Sequence, residues 1–405
     1  MREVVRVSDP RLAALLDRQA TQYIDGDQLG LDRILALLDR LGRPQDRLPP
    51  VFHVAGTNGK GSTCAFLRAG LEAAEYRVHV FTSPHLVRYN ERIRLAGTLI
   101  DDGQLAEVMG RALDANDGIG ASLFELNTAG ALIAFAETPA DACVIEVGLG
   151  GRLDATNVVD RPAVCGIASL GLDHEAFLGT SLAEVAAEKA GIAKPGVPLV
   201  ALAAPTEAVA VMERVAGEQG APLLLEGRDW SPDMTFKPSL PGSHQLRNAN
   251  LAWAILSAQT VLKVPRPAFE QGLATAQWPA RFERLADGPL TGGVETWVDG
   301  AHNPAAAQAL ATLLVKRPMH LVLGILANKD AAGIVGPLAP HALSLTFVAV
   351  SDHDSHDPQA LAARFGGRAA ASLEEALAPL PAPRLIAGSL YLAGAVLSAN
   401  GSLPD

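Results

Sequence analysis

The sequence is poor in cysteine and carries an excess of acidic over basic residues, and both features exclude classes of protein. Three cysteines lie far apart in apolar runs, at Cys64, Cys143 and Cys165. This number and spacing fit neither a disulfide framework nor a zinc site, so buried reduced thiols are expected. The formal net charge of -11 argues against a long basic surface for nucleic acid, although it leaves room for a local pocket that binds an anion.

Long hydrophobic runs are also missing. No segment approaches the roughly 20 uninterrupted apolar residues that a membrane span needs. The first residues, MREVVRVSDPRLAALLDRQ, include acidic side chains and no apolar stretch of signal-peptide length. We therefore expect a cytoplasmic, monomeric enzyme that acts on small molecules and has neither a nucleic-acid nor a membrane partner.

The sequence does contain a regular alternation of short apolar runs and helix-length segments. Candidate strands lie at residues 51–55, 78–81, 143–147, 163–167 and 199–202, with helices such as 63–74 and 182–190 between them. Apolar strands separated by helices predict a mostly parallel sheet covered on both faces. Residues 225–242 have no helical period and predict irregular or hairpin structure.

A second series of candidate strands begins near Gly292. These strands lie at residues 296–299, 320–325, 345–350 and 384–386, and they predict a second, smaller α/β domain. The chain of 405 residues is too long for one ordinary core. Turn residues in ADGPLT, residues 286–291, mark the connection, so the expected domains are residues 1–287 and residues 288–405.

The most specific motif is VFHVAGTNGKGST, residues 51–63, in which an apolar strand leads through a glycine-rich loop into a helix. Glycines let backbone N–H groups face an anion, and the helix N-terminus adds a favourable dipole. Lys60 can reach the β- and γ-phosphates of a nucleotide. The common pattern GxxxxGK[ST] is not met, because Val54 replaces its first glycine and Gly61 separates Lys60 from Ser62. A plain glycine-rich turn is the alternative to the expected ATP contacts from Asn58, Gly59, Lys60, Gly61 and Ser62.

Further motifs point to one family. GTNGKGS resembles the variant phosphate loop of Mur ligases, and TSPHL followed by YNERIR, at residues 82–86 and 89–94, resembles the SPHL…Y.ER signature of folate ligases. Because such motifs occur in family order along nearly the whole chain, the sequence is identified as a member of the folylpolyglutamate synthase/dihydrofolate synthase family of the Mur ligase superfamily. The resemblance implies an α/β fold, with a Mur-ligase-like N-terminal ATPase domain on a mostly parallel sheet and a smaller Rossmann-like C-terminal domain.

The candidate metal ligands lie after strands. Glu146 ends the apolar run CVIEV, at the carboxyl end where open α/β sheets place their sites, and ATP chemistry uses Mg²⁺, which prefers oxygen ligands. The resemblance implies that Glu146 binds Mg²⁺, that His174 binds a second metal ion and that Ser83 is a further ligand. On the sequence alone, His174 would be interpreted as an ordinary surface or core histidine.

Lys189, in the segment AEKAGI, would be interpreted on the sequence alone as a lysine on a helix surface. The resemblance implies instead that Lys189 is carbamylated, which turns a cation into an anionic oxygen donor for a metal ion. It also implies a catalytic group made of Lys60, Lys189 and His302.

The resemblance assigns the remaining contacts. Asn248, Arg281 and Asp299 would contact the nucleotide, and Ala280 replaces a glycine of the family motif next to Arg281. Residues 24–31 match only loosely a stretch that bacterial folate ligases place near the pterin. The acceptor is expected at Phe124, Glu125, Leu153, Asp154 and Ala155, and the incoming glutamate at Ser389. For Phe124, a buried core phenylalanine is the alternative.

The expected reaction joins L-glutamate to dihydropteroate and to reduced folates. ATP would phosphorylate the acceptor carboxylate, and the glutamate amine would attack the acyl phosphate, with Lys60 and Mg²⁺ stabilising the transferred charge. Three alternatives stay open: a folylpolyglutamate synthase alone, another amide ligase of the superfamily, and a non-catalytic nucleotide-binding module. The SPHL…Y.ER block speaks against the second. The third is opposed by the intact residues Lys60, Glu146, His174, Lys189 and His302.

Overall fold

The computed structural model describes residues 10–22 and 29–404, so residues 24–28 of the loosely matched segment lie outside the described residues. The described chain forms two compact units. Unit 1 comprises the described residues of Met1–His85, Tyr89–Ser239 and Gln245–Ala276, and unit 2 comprises those of Leu86–Arg88, Leu240–His244 and Gln277–Asp405. Residues 277–287, expected in the first domain, belong to unit 2, because the strand Glu283–Arg284 pairs within the sheet of that unit.

The core of unit 1 is one sheet. Its described strands are β1 (Val51–Ala55), β2 (Val78–Phe81), β3 (Ile93–Leu95), β4 (Thr98–Leu99), β5 (Ala142–Glu146), β6 (Val164–Ile167), β7 (Leu199–Ala201) and β8 (Leu223–Leu225). They lie in the order β4-β3-β2-β5-β1-β6-β7-β8. The pairs from β2 to β8 are parallel, whereas β3 and β4 add an antiparallel edge. Because β1 and β5 are central and buried along their whole length, their sequences are mostly apolar, and His53 in β1 and Glu146 at the end of β5 are the exceptions.

Helices pack against this sheet. The described α-helices of unit 1 are α1 (Pro10–Gln22), α2 (Asp32–Arg40), α3 (Lys60–Ala73), α4 (Asp102–Ala115), α5 (Leu123–Glu137), α6 (Glu175–Leu178), α7 (Leu182–Ala190), α8 (Thr206–Gln219), α9 (Ser243–Ser257) and α10 (Arg266–Thr275). The first two residues of α9, Ser243 and His244, belong to unit 2. Helix α3 contacts β1, β2 and β5 directly. In residues 10–22 and 29–404, no helix combines the length and the hydrophobicity that crossing a membrane requires.

The mostly parallel sheet predicted from the sequence is confirmed. The predicted segments 51–55, 78–81 and 182–190 coincide with β1, β2 and α7. The strands β3, β4 and β8 are not predicted, because two or three residues are too few to show a period of two. After β8 the chain is irregular as far as the start of α9, as expected for residues 225–242, and no hairpin forms there in the described chain.

Unit 2 is a second α/β unit. Its described strands are β9 (Glu283–Arg284), β10 (Thr296–Val298), β11 (Met319–Leu323), β12 (Ala342–Phe347), β13 (Arg368–Ala369) and β14 (Arg384–Ala387), and its helices are α11 (Pro304–Leu314), α12 (Ala331–Leu338), α13 (Pro358–Phe365), α14 (Leu373–Leu377) and α15 (Leu390–Ala399). The strand order is β13-β12-β11-β14-β10-β9, and β9 is antiparallel to β10.

The predicted strand 345–350 begins three residues too late. β12 starts at Ala342 and ends at Phe347, because its residues pair with β11 from Met319 onward across a register irregularity. Val348 and Val350 stay buried after the strand has ended. These two valines are apolar because they are buried, although they follow the strand. Their apolar character therefore extended the predicted strand beyond Phe347, the last residue of β12.

Helices α3 and α10 touch along their backbones. A Cβ atom added to Gly272 of α10 would lie 2.4 Å from the carbonyl oxygen of Ala69 in α3, and one added to Gly70 would lie 2.6 Å from the ring of Phe269. Main-chain atoms cannot move aside as a flexible side chain can. This close approach fixes the direction of α3, whose first residue is Lys60.

We expect Gly272→Ala to lower the free energy of unfolding by about 1–3 kcal/mol, because the added methyl group must displace the backbone of α3. The control is Gly217→Ala in α8, where nothing lies within 4 Å of an added Cβ. That variant should gain about 0.5–1 kcal/mol from the higher helix propensity of alanine. Urea unfolding followed by circular dichroism measures both changes. Equal stability of the two variants would contradict the close helix contact.

Candidate active site

The loop between β1 and α3 is shaped by main-chain hydrogen bonds and by glycine. The N–H groups of Thr57 and Asn58 donate to the Ser169 carbonyl oxygen over 2.8 and 3.3 Å. Gly59 has φ +85°, and a Cβ there would lie 2.4 Å from Asn248 Oδ1 of α9. The left-handed Gly59 ends the loop, so α3 begins at Lys60 and not at residue 63, as predicted. The expected nucleotide residues of the loop and Asn248 therefore lie together, with Gly61 and Ser62 in the first turn of α3.

Two lysines meet at one carbonyl oxygen of this loop. Lys60 Nζ donates to the Gly56 oxygen over 3.1 Å, and Lys189 Nζ of α7 donates to the same oxygen over 3.0 Å. Lys189 is 4% exposed, so it is not the surface lysine that the sequence alone would indicate. The structure brings together two of the three residues expected to be catalytic, and their side chains form a site suited to an anion.

The electrostatic state of Lys189 follows from this position. Burial, and then the charge of Lys60, lower the pKa of Lys189 to about 7, although nearby Asp154 and Asp173 oppose the shift. An ordinary lysine is unprotonated in about one molecule in 3,000 at pH 7, whereas a pKa near 7 leaves about half of the amines unprotonated. A neutral amine is a nucleophile, so this lysine is chemically competent for modification.

The expected metal ligands lie after β2, β5 and β6. Glu146 ends β5 and is buried, and its Oε2 accepts a hydrogen bond from the main-chain N–H of Ser83 over 3.3 Å. His174 precedes α6 with φ +53°, its side chain is 50% exposed, and its Nε2 lies 4.0 Å from Asp173 Oδ1. Within the described chain, no group of three or more His, Cys, Asp and Glu side chains is arranged to hold a metal ion. Glu146 and Ser83 therefore form a pair, and His174 lies on a separate loop.

The 148–157 loop follows β5 and is organised around Asp154. Leu149 N–H donates to Asp154 Oδ2 over 2.8 Å, and Thr156 N–H donates to Oδ1 over 3.0 Å. Asp154 is 3% exposed, and burial raises the pKa of this carboxyl group while these hydrogen bonds oppose the rise. The carboxylate therefore points into its own loop and ties Leu149 to Thr156.

Phe124 covers the start of the 148–157 loop. A Cβ added to Gly148 would lie 2.3 Å from the Phe124 ring. The centroids of the Phe124 and Phe81 rings are 6.0 Å apart. Its neighbour Glu125 closes a capping box with Ser122 at the start of α5, and its Oε2 accepts from Arg33 Nε over 3.1 Å. Phe124 is thus half-buried in a packed position beside the loop, and the Glu125 carboxylate is engaged by Ser122 and Arg33.

Unit 2 has its own polar cluster after β10. The two carboxylate oxygens of Asp299 accept from the main-chain N–H groups of Phe282 and Ala301 over 2.7 and 2.8 Å. Burial raises the pKa of Asp299, and the charge of Arg281 opposes the rise. A Cβ added to Gly300 would lie 2.6 Å from Arg281 Nη1. The structure therefore brings the expected nucleotide residues Arg281 and Asp299 together.

His302 follows β10, and Ser389 follows β14. His302 Nδ1 lies 2.8 Å from the Gly300 carbonyl oxygen, which assigns the ring proton to Nδ1. The Ser389 hydroxyl accepts from Tyr391 N–H over 3.1 Å as the cap of α15 and is buried. Ala280, at the glycine position of the family motif, has φ +54°, a conformation that favours glycine. The hydroxyl of Ser389 thus caps α15 and keeps its own proton for a further hydrogen bond.

Sequence reasoning missed two polar residues of these clusters. Ser169, directly after β6, accepts from the phosphate loop through its carbonyl and donates from its hydroxyl to the Asn58 oxygen over 3.0 Å. Its position at the carboxyl end of an apolar strand was the available signal. His244 of unit 2 is affected by burial and by Arg281, which lower the pKa of His244 to about 4. It lies in the motif SHQLRNA, from which only Asn248 was selected.

The fold and the sites define a class of protein, the Mur-type ATP-dependent ligases, and residues 280–385 match the family model of the Mur ligase, glutamate ligase domain. The chain is 36% identical over 324 residues to dihydrofolate synthase/folylpolyglutamate synthase of Bacillus subtilis (strain 168), covering 72% of this chain and 73% of that protein. E. coli FolC in complex with DHPP and ADP gives a TM-score of 0.86 at 31% identity, covering 96% of this chain and 97% of that chain.

A solved bifunctional folylpolyglutamate synthase/dihydrofolate synthase with Mn, AMPPNP and L-glutamate bound gives a TM-score of 0.86 at 30% identity, covering 98% of this chain and 99% of that chain. The chain therefore belongs to the folylpolyglutamate synthase/dihydrofolate synthase family. The membership, the Mur-ligase fold and the ligase class predicted from the sequence motifs are confirmed.

We expect Lys60→Ala to lower the rate of ATP-dependent glutamate addition about 100- to 1,000-fold, because it removes a preorganised positive charge from the phosphate loop. With the described residues, the side chain makes one hydrogen bond, to the Gly56 carbonyl oxygen, so the fold should survive. Release of ADP measures the rate, and circular dichroism checks the fold. The control is Lys237→Ala, at an exposed lysine of unit 1. Near wild-type turnover in a folded Lys60→Ala variant would remove Lys60 from the catalytic group.

Proposed function

We propose that the protein joins L-glutamate to dihydropteroate and extends reduced folates with further glutamates. One observation carries the proposal: in unit 1 the phosphate loop and the 148–157 loop adjoin through Lys189. The Lys189 amine reaches Gly56 of the phosphate loop, and a Cβ added to Gly151 would lie 3.0 Å from the Lys189 Cα. The γ-phosphate of ATP and the acceptor carboxylate therefore have neighbouring places in one unit. The E. coli relative, which holds DHPP and ADP together, supports the proposal.

The chemistry follows from the poor reactivity of a carboxylate, whose leaving group would be oxide. The acceptor carboxylate attacks the γ-phosphorus of ATP, ADP leaves, and an acyl phosphate forms. The glutamate amine then attacks the acyl carbon, and the tetrahedral intermediate expels phosphate and loses a proton. The phosphate loop contacts ATP through Asn58, Gly59, Gly61 and Ser62. Lys60 stabilises the charge on the transferred group.

The donor set of unit 1 fits a divalent cation. Glu146 supplies a carboxylate and Ser83 a hydroxyl, the oxygen donors that Mg²⁺ prefers, and these two residues are already adjacent. His174, half exposed on its loop, would serve a second ion. The relative with bound Mn and AMPPNP supports this assignment. When bound, Mg²⁺ would neutralise phosphate charge.

The remaining assignments are part of the same proposal. The acceptor lies at Phe124, Glu125, Leu153, Asp154 and Ala155, of which Phe124 and Leu153 are partly exposed. Asn248, Arg281 and Asp299 serve the nucleotide and His302 the reacting centre. Ser389 serves the glutamate, since its hydroxyl accepts from Tyr391 N–H as the cap of α15 and keeps a proton to donate.

We further propose that Lys189 is carbamylated. The neutral amine attacks carbon dioxide, an N–C bond forms, and loss of a proton leaves a carbamate anion. Burial of Lys189 beside Lys60, which keeps a large neutral fraction near pH 7, supports this step. The product removes the repulsion between two cations at Gly56 and supplies oxygen donors for a metal ion.

In the presence of ¹³C-bicarbonate, we expect one carbamate resonance in the ¹³C spectrum that is lost in Lys189→Ala. Because the folded pKa of Lys189 is about 7, the signal should be weak at pH 6 and grow as the pH rises through 7 to 8. An ordinary lysine would need a pH near 10. Lys263→Ala, at an exposed lysine, should keep the signal. No Lys189-dependent resonance at pH 8, together with full activity of Lys189→Ala, would refute the carbamate.

The paired assay of dihydropteroate and tetrahydrofolate as acceptors tests the two activities, and both should support ATP-dependent glutamate addition. Phe124→Ala should lower kcat/KM for dihydropteroate about tenfold and more than for tetrahydrofolate, because a stacking surface for the pterin is lost. Phe124→Leu keeps apolar packing on Gly148 and separates stacking from packing. Activity with tetrahydrofolate alone would reduce the proposal to a folylpolyglutamate synthase. Activity with neither acceptor would favour another amide ligase of the superfamily.

The compartment and the oligomeric state of the protein complete the proposal. We propose a cytoplasmic monomer. All three cysteines are free and buried, as suits a reducing compartment. Light scattering coupled to size exclusion measures the mass, for which 42.2 kDa is expected.

A further inference from the structure

A buried histidine lies beneath the 148–157 loop. His53 is in the middle of β1, the central strand of unit 1, and is 1% exposed. Its Nε2 lies 2.9 Å from Thr156 Oγ1, and Thr156 Oγ1 in turn donates to Asp154 Oδ1. A chain of hydrogen bonds therefore leads from the strand that carries the phosphate loop to the carboxylate that organises the 148–157 loop.

The proton positions follow from the number of donors. A threonine hydroxyl has one proton, and the one on Thr156 is directed to Asp154 Oδ1. The Thr156 oxygen can then only accept from the ring, so His53 carries its proton on Nε2. Nδ1 of His53 has no hydrogen-bond partner among the described residues. The ring is thus oriented by a single directed hydrogen bond.

The surroundings of His53 keep the ring neutral. Burial, and then the positive charge of Lys194, lower the pKa of His53 to about 3. Lys194 Nζ itself donates to the Asn157 carbonyl oxygen over 3.2 Å, at the end of the same loop. A buried polar side chain with one unpaired nitrogen costs stability in a strand where an aliphatic residue would pack without loss. Such a residue calls for a specific role.

The loop that His53 supports contacts one residue assigned to the acceptor, Phe124, and one assigned to catalysis, Lys189. Its first residue, Gly148, lies under the ring of Phe124, and Gly151 lies against Lys189. Arg152 N–H donates to the Glu188 carbonyl oxygen over 2.7 Å, which ties the loop to α7. A shift of Asp154 would therefore move the surface assigned to the acceptor, whereas the phosphate loop is held separately by Ser169.

We propose that His53 is a positioning residue for the acceptor, which acts through Thr156 on Asp154 and so sets the conformation of the 148–157 loop. This inference rests on the proposed function, since it takes dihydropteroate as the acceptor. His53 touches neither ATP nor the reacting atoms. Its effect is on the KM for the acceptor, and the KM for ATP depends on other residues.

The test compares variants that keep or remove the Nε2 donor. His53→Gln places an amide N–H near the position of Nε2, whereas His53→Asn places it near Nδ1, and His53→Leu has no donor. Thr156→Val breaks the same chain from its other end. The matched control is His79→Leu: His79 is a fully buried histidine of β2, but its partners are the Thr138 oxygen and the Ala96 N–H, both outside the loop.

We expect His53→Leu, His53→Asn and Thr156→Val to raise the KM for dihydropteroate about tenfold, the value of one lost hydrogen bond, with the KM for ATP and kcat unchanged within about twofold. His53→Gln should restore the wild-type KM. The double variant His53→Leu/Thr156→Val should be no worse than either single variant, because both remove the same chain. His79→Leu should lower the unfolding midpoint and leave the KM for dihydropteroate unchanged.

The outcomes that would overturn the inference are distinct from those that bear on the proposed function. Equal KM values for dihydropteroate in the wild type, His53→Leu and Thr156→Val would overturn the positioning role alone. So would a rise of the same size in His79→Leu, or additive effects in the double variant. A wild type that turns over neither dihydropteroate nor tetrahydrofolate would overturn the proposed function, and the positioning role with it.

Discussion

The carbonyl oxygen of Gly56 is the acceptor around which the site of unit 1 is built. It takes hydrogen bonds from Lys60 at the start of α3 and from Lys189 at the end of α7. The two ammonium groups repel each other in a buried place, and this repulsion is relieved when an anion binds or when one lysine loses its charge. Phosphate transfer and carbamylation are both consistent with this arrangement. The phosphate loop and the 148–157 loop are neighbours because both contact Lys189.

Much of the fold could be predicted from the sequence, because the central strands of a parallel sheet are short and apolar. β1, β2 and α7 have the predicted limits. The short strands β3, β4 and β9 could not be predicted, since two or three residues show no period, and β12 was displaced because buried valines continue after its last pair. The segment 277–287 belongs to unit 2 through the pairing of β9 with β10, a contact that leaves no local signal in the sequence.

The residues of the site also differ in how far the sequence could predict their positions. Lys60, Gly59 and Asn248 were predicted from motifs, and the structure places them in contact or in sequence around the phosphate loop. The burial of Lys189 could not be inferred from its helix, whose neighbours are alanines and glutamates, because it depends on packing of α7 against distant loops. The hydroxyl of Ser389 and the carboxylates of Asp154 and Asp299 were selected as ligand contacts, and each also accepts hydrogen bonds from main-chain N–H groups, which the motifs do not indicate. A motif identifies the residue, but it does not say which way the side chain points.

The backbone contact between α3 and α10 has a practical consequence for dividing the chain. Helix α10 is the last helix of unit 1, and Ser239 N–H donates to its Leu273 oxygen over 2.9 Å. A shortened polypeptide that stopped at the end of α9 would contain every glycine of the phosphate loop and yet lack the helix that braces α3. A nucleotide-binding fragment of this protein therefore has to extend to Ala276, well beyond the last residue of its recognition motifs in unit 1.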